Sequence, residues 1–240
     1  MITVIDPDAA RTALAAGELA CPRPGCSGWL RTWSKARERR VRRRDGTEAR
    51  LRPDRARCRS CHRSHVLLPV EFLPRRGYDV HVVGAALLEA AEGAGYRRVA
   101  TAVGVPPSTV RGWLTSVRAR SAALFAGAIP LIRAAGQDVS AQGPPPAWAG
   151  RALPEAVAAL GGAARAFVLG LAHPIRPPLR AVPPGGTGID YLRLVAERHR
   201  LALHASFGVI DPTGLLGDLR GWPLINVVTR GRLLAPCPGG

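Results

Sequence analysis

Four of the five cysteines in this sequence fall into two close pairs, Cys21-Pro-Arg-Pro-Gly-Cys26 and Cys58-Arg-Ser-Cys61. Four thiolates on two short loops suit a tetrahedral site for a soft metal, and zinc is the expected ion. Such a set leaves no open coordination position, so the zinc would be structural rather than catalytic. It would close a small module that lacks the apolar surface to fold alone. The CxxC spacing of the second pair is the stronger signal. The CxxxxC spacing of the first is looser, and His62 or His65 stands close enough in sequence to replace a ligand. An unmetallated or redox-active pair is the competing reading. Gly25 and Gly28 are expected to supply the permissive backbone of the sulfur-facing turn. Cys237 stands alone near the end of the sequence.

A second constellation points to nucleic acid. Residues 96 to 115 read Tyr-Arg-Arg-Val-Ala-Thr-Ala-Val-Gly-Val-Pro-Pro-Ser-Thr-Val-Arg-Gly-Trp-Leu-Thr. A first helix would bury Val99, Ala100 and Val103, Gly104 would take a left-handed turn, and Val105 would plug the corner. A second helix would bury Val110, Trp113 and Leu114. That spacing predicts a helix-turn-helix. The outward positions of the second helix are then Ser108, Thr109, Arg111, Gly112, Thr115 and Arg118. Arg111 is the expected reader of a guanine edge, because its fork matches two acceptors in the major groove. Ser108 and Thr109 are placed for base or phosphate, with Thr115 and Arg118 further along the same face, and Arg97 and Arg98 for the backbone. Pro107 suits the first helical position. Pro106 is a poor cap, so Ser108 is expected to cap and start the helix one residue later. A plain helical hairpin without nucleic acid is the bland alternative.

Charge supports the first reading. The chain carries 34 Lys and Arg against 17 acids, a net of +17. Genome composition alone could enrich arginine, since Lys35 is the sole lysine. It would not concentrate the excess, however. Between Arg31 and Arg63 stand 14 Arg or Lys against four acids, a net of +10. A local cluster of this kind suggests a phosphate-facing surface, with Arg42, Arg43 and Arg44 as its expected contacts.

The elements that must position these groups follow from periodicity. A short amphipathic helix is predicted within residues 4 to 20, started by Asp6 or Asp8. Arg39 to Arg44, Asp45-Gly46 and Glu48 to Leu51 read as a β-hairpin. Period two places Trp29, Arg31 and Trp33 on one strand face. Those rings either pack the ribbon's small core, which is the simpler expectation, or stack on bases. His65 to Leu68 reads as a buried strand ended by Pro69. Helices are predicted near 79–92, 96–103, 107–118, 119–135, 151–172 and 189–206, with a last short one within 222–234. The fold class expected is α+β, mostly α. A zinc ribbon with a short N-terminal helix would span 1–75, and a helix-turn-helix domain 76–135. A Pro/Gly linker would occupy 136–150. A loosely packed, partly disordered helical accessory region would fill 151–240.

These residues resemble the zinc-ribbon plus helix-turn-helix N-terminal region of bacterial insertion-sequence transposases. The likeness lies in the order of a Cys pair, an Arg-rich hairpin, Arg-x-Arg-Cys-x-x-Cys-x-x-Ser-His, and then Arg-Arg-Val-Ala-x-x-Val-Gly-Val-x-x-Ser-Thr-Val-x-x-Trp-Leu. It looks closest to a family of uncharacterised bacterial proteins with this ribbon, this helix-turn-helix and a Leu-Leu-Pro (Leu67 to Pro69) after the second knuckle. It covers roughly residues 1 to 120 and implies recognition of sites on double-stranded DNA, as a transposase-related accessory protein or a regulator of transcription.

Enzyme chemistry is not expected. A transposase core needs three metal-binding carboxylates on a sheet. Asp138, Glu155, Asp190, Glu197, Asp211 and Asp218 end no convincing strand. His173, His199 and His204 have no metal spacing, and Gly185-Gly186-Thr187-Gly188 lacks the lysine of a phosphate loop. An active or degenerate recombinase remains the alternative, and an RNA- or protein-binding ribbon is the third. No membrane span or secretory signal is expected, since Arg165 breaks the apolar stretch 156–172. A cytoplasmic, nucleoid-associated protein follows, as a homodimer or with a transposase partner.

Overall fold

The computed structural model describes residues 1–4, 6–134 and 151–172, together with residues 223, 226, 229, 233 and 234. The elements run β1 (Ile2–Val4), α1 (Pro7–Ala15), β2 (Leu30–Lys35), β3 (Arg39–Arg42), β4 (Glu48–Leu51), β5 (Asp54–Cys58) and β6 (Ser64–Pro69), then α2 (Val80–Ala91), α3 (Tyr96–Val103), α4 (Pro107–Arg118), α5 (Ser121–Ala134) and α6 (Ala152–Ala172). The described chain is therefore mixed α and β, with its strands confined to the N-terminal part. The predicted linker over 136–150 and helix over 189–206 lie outside the described residues, as do Asp138, Asp190, Glu197, Asp211, Asp218, His173, His199, His204 and Cys237. Of the helix expected within 222–234, residues 223 and 226 are helical, while 229, 233 and 234 are turn.

Four strands form one sheet in the order β1-β6-β5-β2, and β3 and β4 form a separate pair. Helix α1 starts where Asp6 accepts from the amides of Asp8 and Ala9 at 2.8 and 3.1 Å, the N-cap expected of Asp before Pro. Its apolar side meets the sheet. Ile2, Val4, Ala10, Leu14, Leu19, Leu30, Ala56 and Leu67 pack with Cys21 and Cys58 into one small core. Pro69 is the last residue of β6, so the strand ends with it as expected. It pairs with Val4 in parallel register, where the ladder bond to the Val4 carbonyl comes from Val70 N–H at 2.8 Å and asks no N–H of the proline.

The hairpin β3–β4 is attached to the helical part through its main chain. Arg42 N–H donates to Gly77 O at 2.8 Å, and Asp79 N–H donates to Arg42 O at 3.1 Å. Val41 and Leu51 from the hairpin bury with Leu68 and Phe72 beneath it. At the hairpin tip Gly46 has φ +84°, and Asp45 accepts from Thr47 N and Oγ1.

The second core is larger. It gathers Val83 and Leu87 of α2, Val99 and Ala100 of α3, Val110, Trp113, Leu114 and Val117 of α4, and Leu124 of α5. Tyr78 meets Trp113 edge to face, with centroids 5.3 Å apart, a geometry worth about 0.5–1.5 kcal/mol beyond burial. Leu153, Ala156, Val157 and Leu160 of α6 enter this same core, as do Leu233 and Leu234. These six residues are packed, in a region expected to be loose, most of which lies outside the described residues. An Ala-rich helix shows weak periodicity in sequence, yet its small side chains let α6 approach the neighbouring helices closely. Asn226, buried, donates to the carbonyls of Val70 and Phe72 at 2.8 and 3.1 Å, and Arg76 donates to Leu234 O at 2.6 Å. No helix among the described residues is long and apolar enough to cross a membrane.

Candidate metal centre and candidate nucleic-acid interface

The sulfurs of Cys21, Cys26, Cys58 and Cys61 lie within 4.8 Å of one another. The chain places them there by two turns. In the first, Cys21 N–H donates to Gly28 O at 2.8 Å, Cys26 N–H donates to Arg23 O at 3.1 Å, and Gly25 takes φ +73°. In the second, Cys58 N–H donates to Arg63 O at 2.9 Å and Cys61 N–H to Cys58 Sγ at 3.4 Å. Gly28 matters for a reason other than φ. A Cβ there would lie 2.7 Å from Cys58 Sγ and from Ser60 Cβ, so the two knuckles approach each other across it.

The donor set fits a metal. Cys21 and Cys61 are 3.7 Å apart between sulfurs, and so are Cys26 and Cys58. A tetrahedron with metal–sulfur bonds of about 2.3 Å has edges of about 3.8 Å. Without a metal the cluster cannot carry four charges. Burial pushes the Cys21 thiol up to about 12, and its sulfur neighbours add to the rise. Cys61 moves the other way, to about 6, chiefly because the Arg63 amide donates to its sulfur. A divalent ion would offset the repulsion and hold all four as thiolates.

Neither histidine belongs to the set of four. His65 is buried with Nε2 3.6 Å from Cys21 Sγ, in contact with a ligand rather than among the ligands. Burial lowers its pKa, which favours a neutral ring able to donate to the sulfur. His62 is exposed in the turn at φ +58°, its carbonyl accepting from Arg57 Nε.

Trp29 and Trp33 do not fill the small core around Cys21 and Cys58. They are 52% and 49% exposed. The alternation of β2 sends Leu30 inward, opposite Cys58, and a bulge interrupts the register between Thr32 and Ser34. Leu30, Ala56 and Cys58 occupy the interior instead.

The second candidate site lies on α3 and α4. Gly104 ends α3 at φ +64°, and Val105 is buried in the corner. Helix α4 begins at Pro107 with Pro106 in the cap position. Ser108 therefore does not cap. The Pro106 carbonyl accepts from Thr109 and Val110 at 3.0 and 3.2 Å, so the first turn closes on the backbone alone. Val110, Trp113 and Leu114 face the core, and Val99 and Ala100 do so from α3, while Val103 is half-buried.

Ser108, Arg111, Thr115 and Arg118 are exposed, as are Arg97 and Arg98. Thr109 is half-buried on the flank. A groove of about 720 Å³ runs between the two helices, lined by Tyr96, Arg97, Ser108, Arg111, Gly112 and Thr115 among others. Tyr96 was not legible as a site residue. Its ring lies under both cations, 5.7 Å from the Arg97 guanidinium and 6.0 Å from that of Arg111. No acid pairs with Arg97, Arg98, Arg111 or Arg118 among the described residues. The hairpin stands close by. A Cβ added at Gly104 would lie 3.9 Å from the Arg42 guanidinium, and Arg42, Arg43 and Arg44 are all exposed.

With this geometry in hand, comparison with known proteins adds one finding. A family described only as a domain of unknown function, DUF6431, matches residues 21–113. The matched stretch begins at the first cysteine and ends at Trp113, so it takes in all four sulfurs, the hairpin and most of α4. No curated protein and no solved structure matches the chain. Asp190 and Asp211, among the acids a recombinase core would need, lie outside the described residues.

Proposed function

We propose that this chain is a sequence-specific double-stranded DNA-binding protein, a transposase-related accessory protein or a transcriptional regulator, built from a structural zinc ribbon and a helix-turn-helix. The observation that carries the reading is the groove between α3 and α4, whose rim is set with arginines that have no acidic partner among the described residues. In this reading α3–Gly104–α4 is the helix-turn-helix and α4 enters the major groove. Arg111 presents its fork to a guanine edge, held ready by the Tyr96 ring. Ser108, Thr109, Thr115 and Arg118 complete the face, and Arg97 and Arg98 grip phosphate. Arg42, Arg43 and Arg44 then reach flanking backbone from the hairpin, at a spacing fixed by the Arg42 main-chain bonds to Gly77 and Asp79. Zinc on Cys21, Cys26, Cys58 and Cys61 would hold the ribbon that carries the hairpin, with no catalytic part.

The test is selection from random duplex DNA at near-physiological salt, which suppresses uniform phosphate binding. An enriched motif is expected. Arg111→Ala should cost about 5- to 150-fold on that motif, the worth of one bidentate base contact, and relax one position of it. Arg97→Ala should weaken all sequences alike and lower the salt slope by about one. Uniform weak binding by the wild type, or identical losses in both variants, would overturn the assignment.

A further inference from the structure

The outward face of the four-stranded sheet carries chemistry that α4 lacks. Two indoles, Trp29 and Trp33, stand about half exposed there. The guanidinium of Arg57 lies 4.5 Å from the Trp33 ring centroid and that of Arg31 lies 5.6 Å from it. Arg31 and Arg57 are also directly opposite each other in the β2–β5 register. Like charges in that relation destabilise a sheet unless something anionic is shared between them. Arg55 follows Arg57 on the same face, donating to Ser64 Oγ at 3.4 Å. No acid stands on these outward rows. The one acid of β5, Asp54, is already paired with Arg11 and Lys35. Strand β2 is an edge strand of its sheet.

We propose that this face is a second nucleic-acid contact and that its occupant is an unpaired DNA strand. Trp29 and Trp33 stack on bases, while Arg31 and Arg57 take the phosphates between them. The aromatic groups decide for a single strand over a duplex. An indole stacks on the flat face of a base, and in a duplex those faces are covered by the neighbouring pairs. Arginines alone would serve for duplex phosphates. Charge decides against a protein partner of ordinary composition, because two guanidiniums crowd the Trp33 ring. A guanidinium already held over an indole also loses less freedom when it grips a phosphate. The site shares no residue with α4, so it stands or falls apart from the duplex-reading proposal.

The experiment is fluorescence anisotropy of a labelled oligothymidylate, titrated with the full chain at near-physiological salt. Binding is expected for the wild type. Trp33→Ala should weaken it by about tenfold, the scale of one lost base stack, and Trp29→Ala should act in the same direction. Trp33→Phe should keep most of the affinity. Both tryptophans are exposed, and an unchanged metal content would verify that the variants fold. Arg111→Ala should leave oligothymidylate binding intact, and Trp33→Ala should leave duplex binding intact. The proposal is overturned if Trp33→Ala binds the single strand like the wild type, if Arg111→Ala loses it equally, or if the wild type does not bind it at all. In the last case the indoles meet a protein instead. Failure of duplex selection would touch none of these outcomes.

Discussion

Stripping the proposed zinc from the four-cysteine cluster should unfold the N-terminal sheet and spare the helices. The two cores are separate sets of residues. One holds Ile2, Val4, Leu14, Leu19, Leu30 and Leu67 around Cys21 and Cys58, and the other holds the interior of α2, α3, α4 and α6. Two of the four proposed ligands are thus themselves core residues, so releasing the ion loosens the interior directly. Structural zinc contributes an apparent 10–16 kcal/mol or so at neutral pH. A whole domain is stable by only about 5–15 kcal/mol, so the metal term alone is enough to decide whether a core this small stays folded. The assay is amide hydrogen exchange by mass spectrometry on the full chain, zinc-replete against chelator-treated. Protection should collapse in peptides from residues 21–67 and persist in those from 80–117. One zinc per chain should be lost in parallel. Full protection of 21–67 in metal-free protein, or no zinc uptake by the replete sample, would refute the structural role.

Three further outcomes follow from the same geometry. Gly28→Ala should disrupt zinc uptake, because the added Cβ would meet Cys58 Sγ at 2.7 Å; metal content after dialysis checks it, and normal stoichiometry would show that the knuckles can part. In protein pulsed with alkylating agent as the chelator is added, before the N-terminal sheet opens, Cys61 should alkylate first and Cys21 last. The Cys61 thiolate is favoured above about 6, so whatever stability it gives the metal-free fold is present above the ordinary thiol value of 9.0 and lost as pH falls through about 6. Cys21 acts oppositely, its contribution present below 9.0 and lost as pH rises through about 12; alkylation rates followed by peptide mass against pH would separate the two. Trp113→Ala should cost about 3–5 kcal/mol in urea unfolding, since the ring is buried among three helices and against Tyr78, whereas Trp113→Phe should cost clearly less.

Much of this architecture was legible because its signals are local. Gly104 between two apolar periods places the α3–α4 turn, Asp45-Gly46 places the hairpin, and the paired cysteines announce the cluster. What escaped depends on partners distant in sequence. Strand β1 is three residues long and exists because β6 offers a parallel edge. The outward turn of Trp29 and Trp33 rests on a bulge and on Leu30 taking the interior, which period two alone does not fix. Tyr96 gave only a weak signal, an aromatic at the first position of a helix, and its meaning lies in two arginines that fold over it. His65 could be read as a ligand from sequence, but only distance shows that it touches one instead.

Asn226 carries a consequence for how the molecule is made. Its amide satisfies the carbonyls of Val70 and Phe72, more than 150 positions earlier in the chain. A ribosome delivers those carbonyls long before their donor emerges. The segment joining strands to helices must therefore wait, with two peptide oxygens still hydrated, until synthesis has passed residue 226. Ribbon and α2–α4 can close early through short-range contacts, while the seam between them is sewn last. A nonsense mutation shortly before position 226 would then yield a product whose junction keeps two buried acceptors empty and whose helical core has lost Leu233 and Leu234. Such a product should be cut by proteases between residues 69 and 77 ahead of any other site.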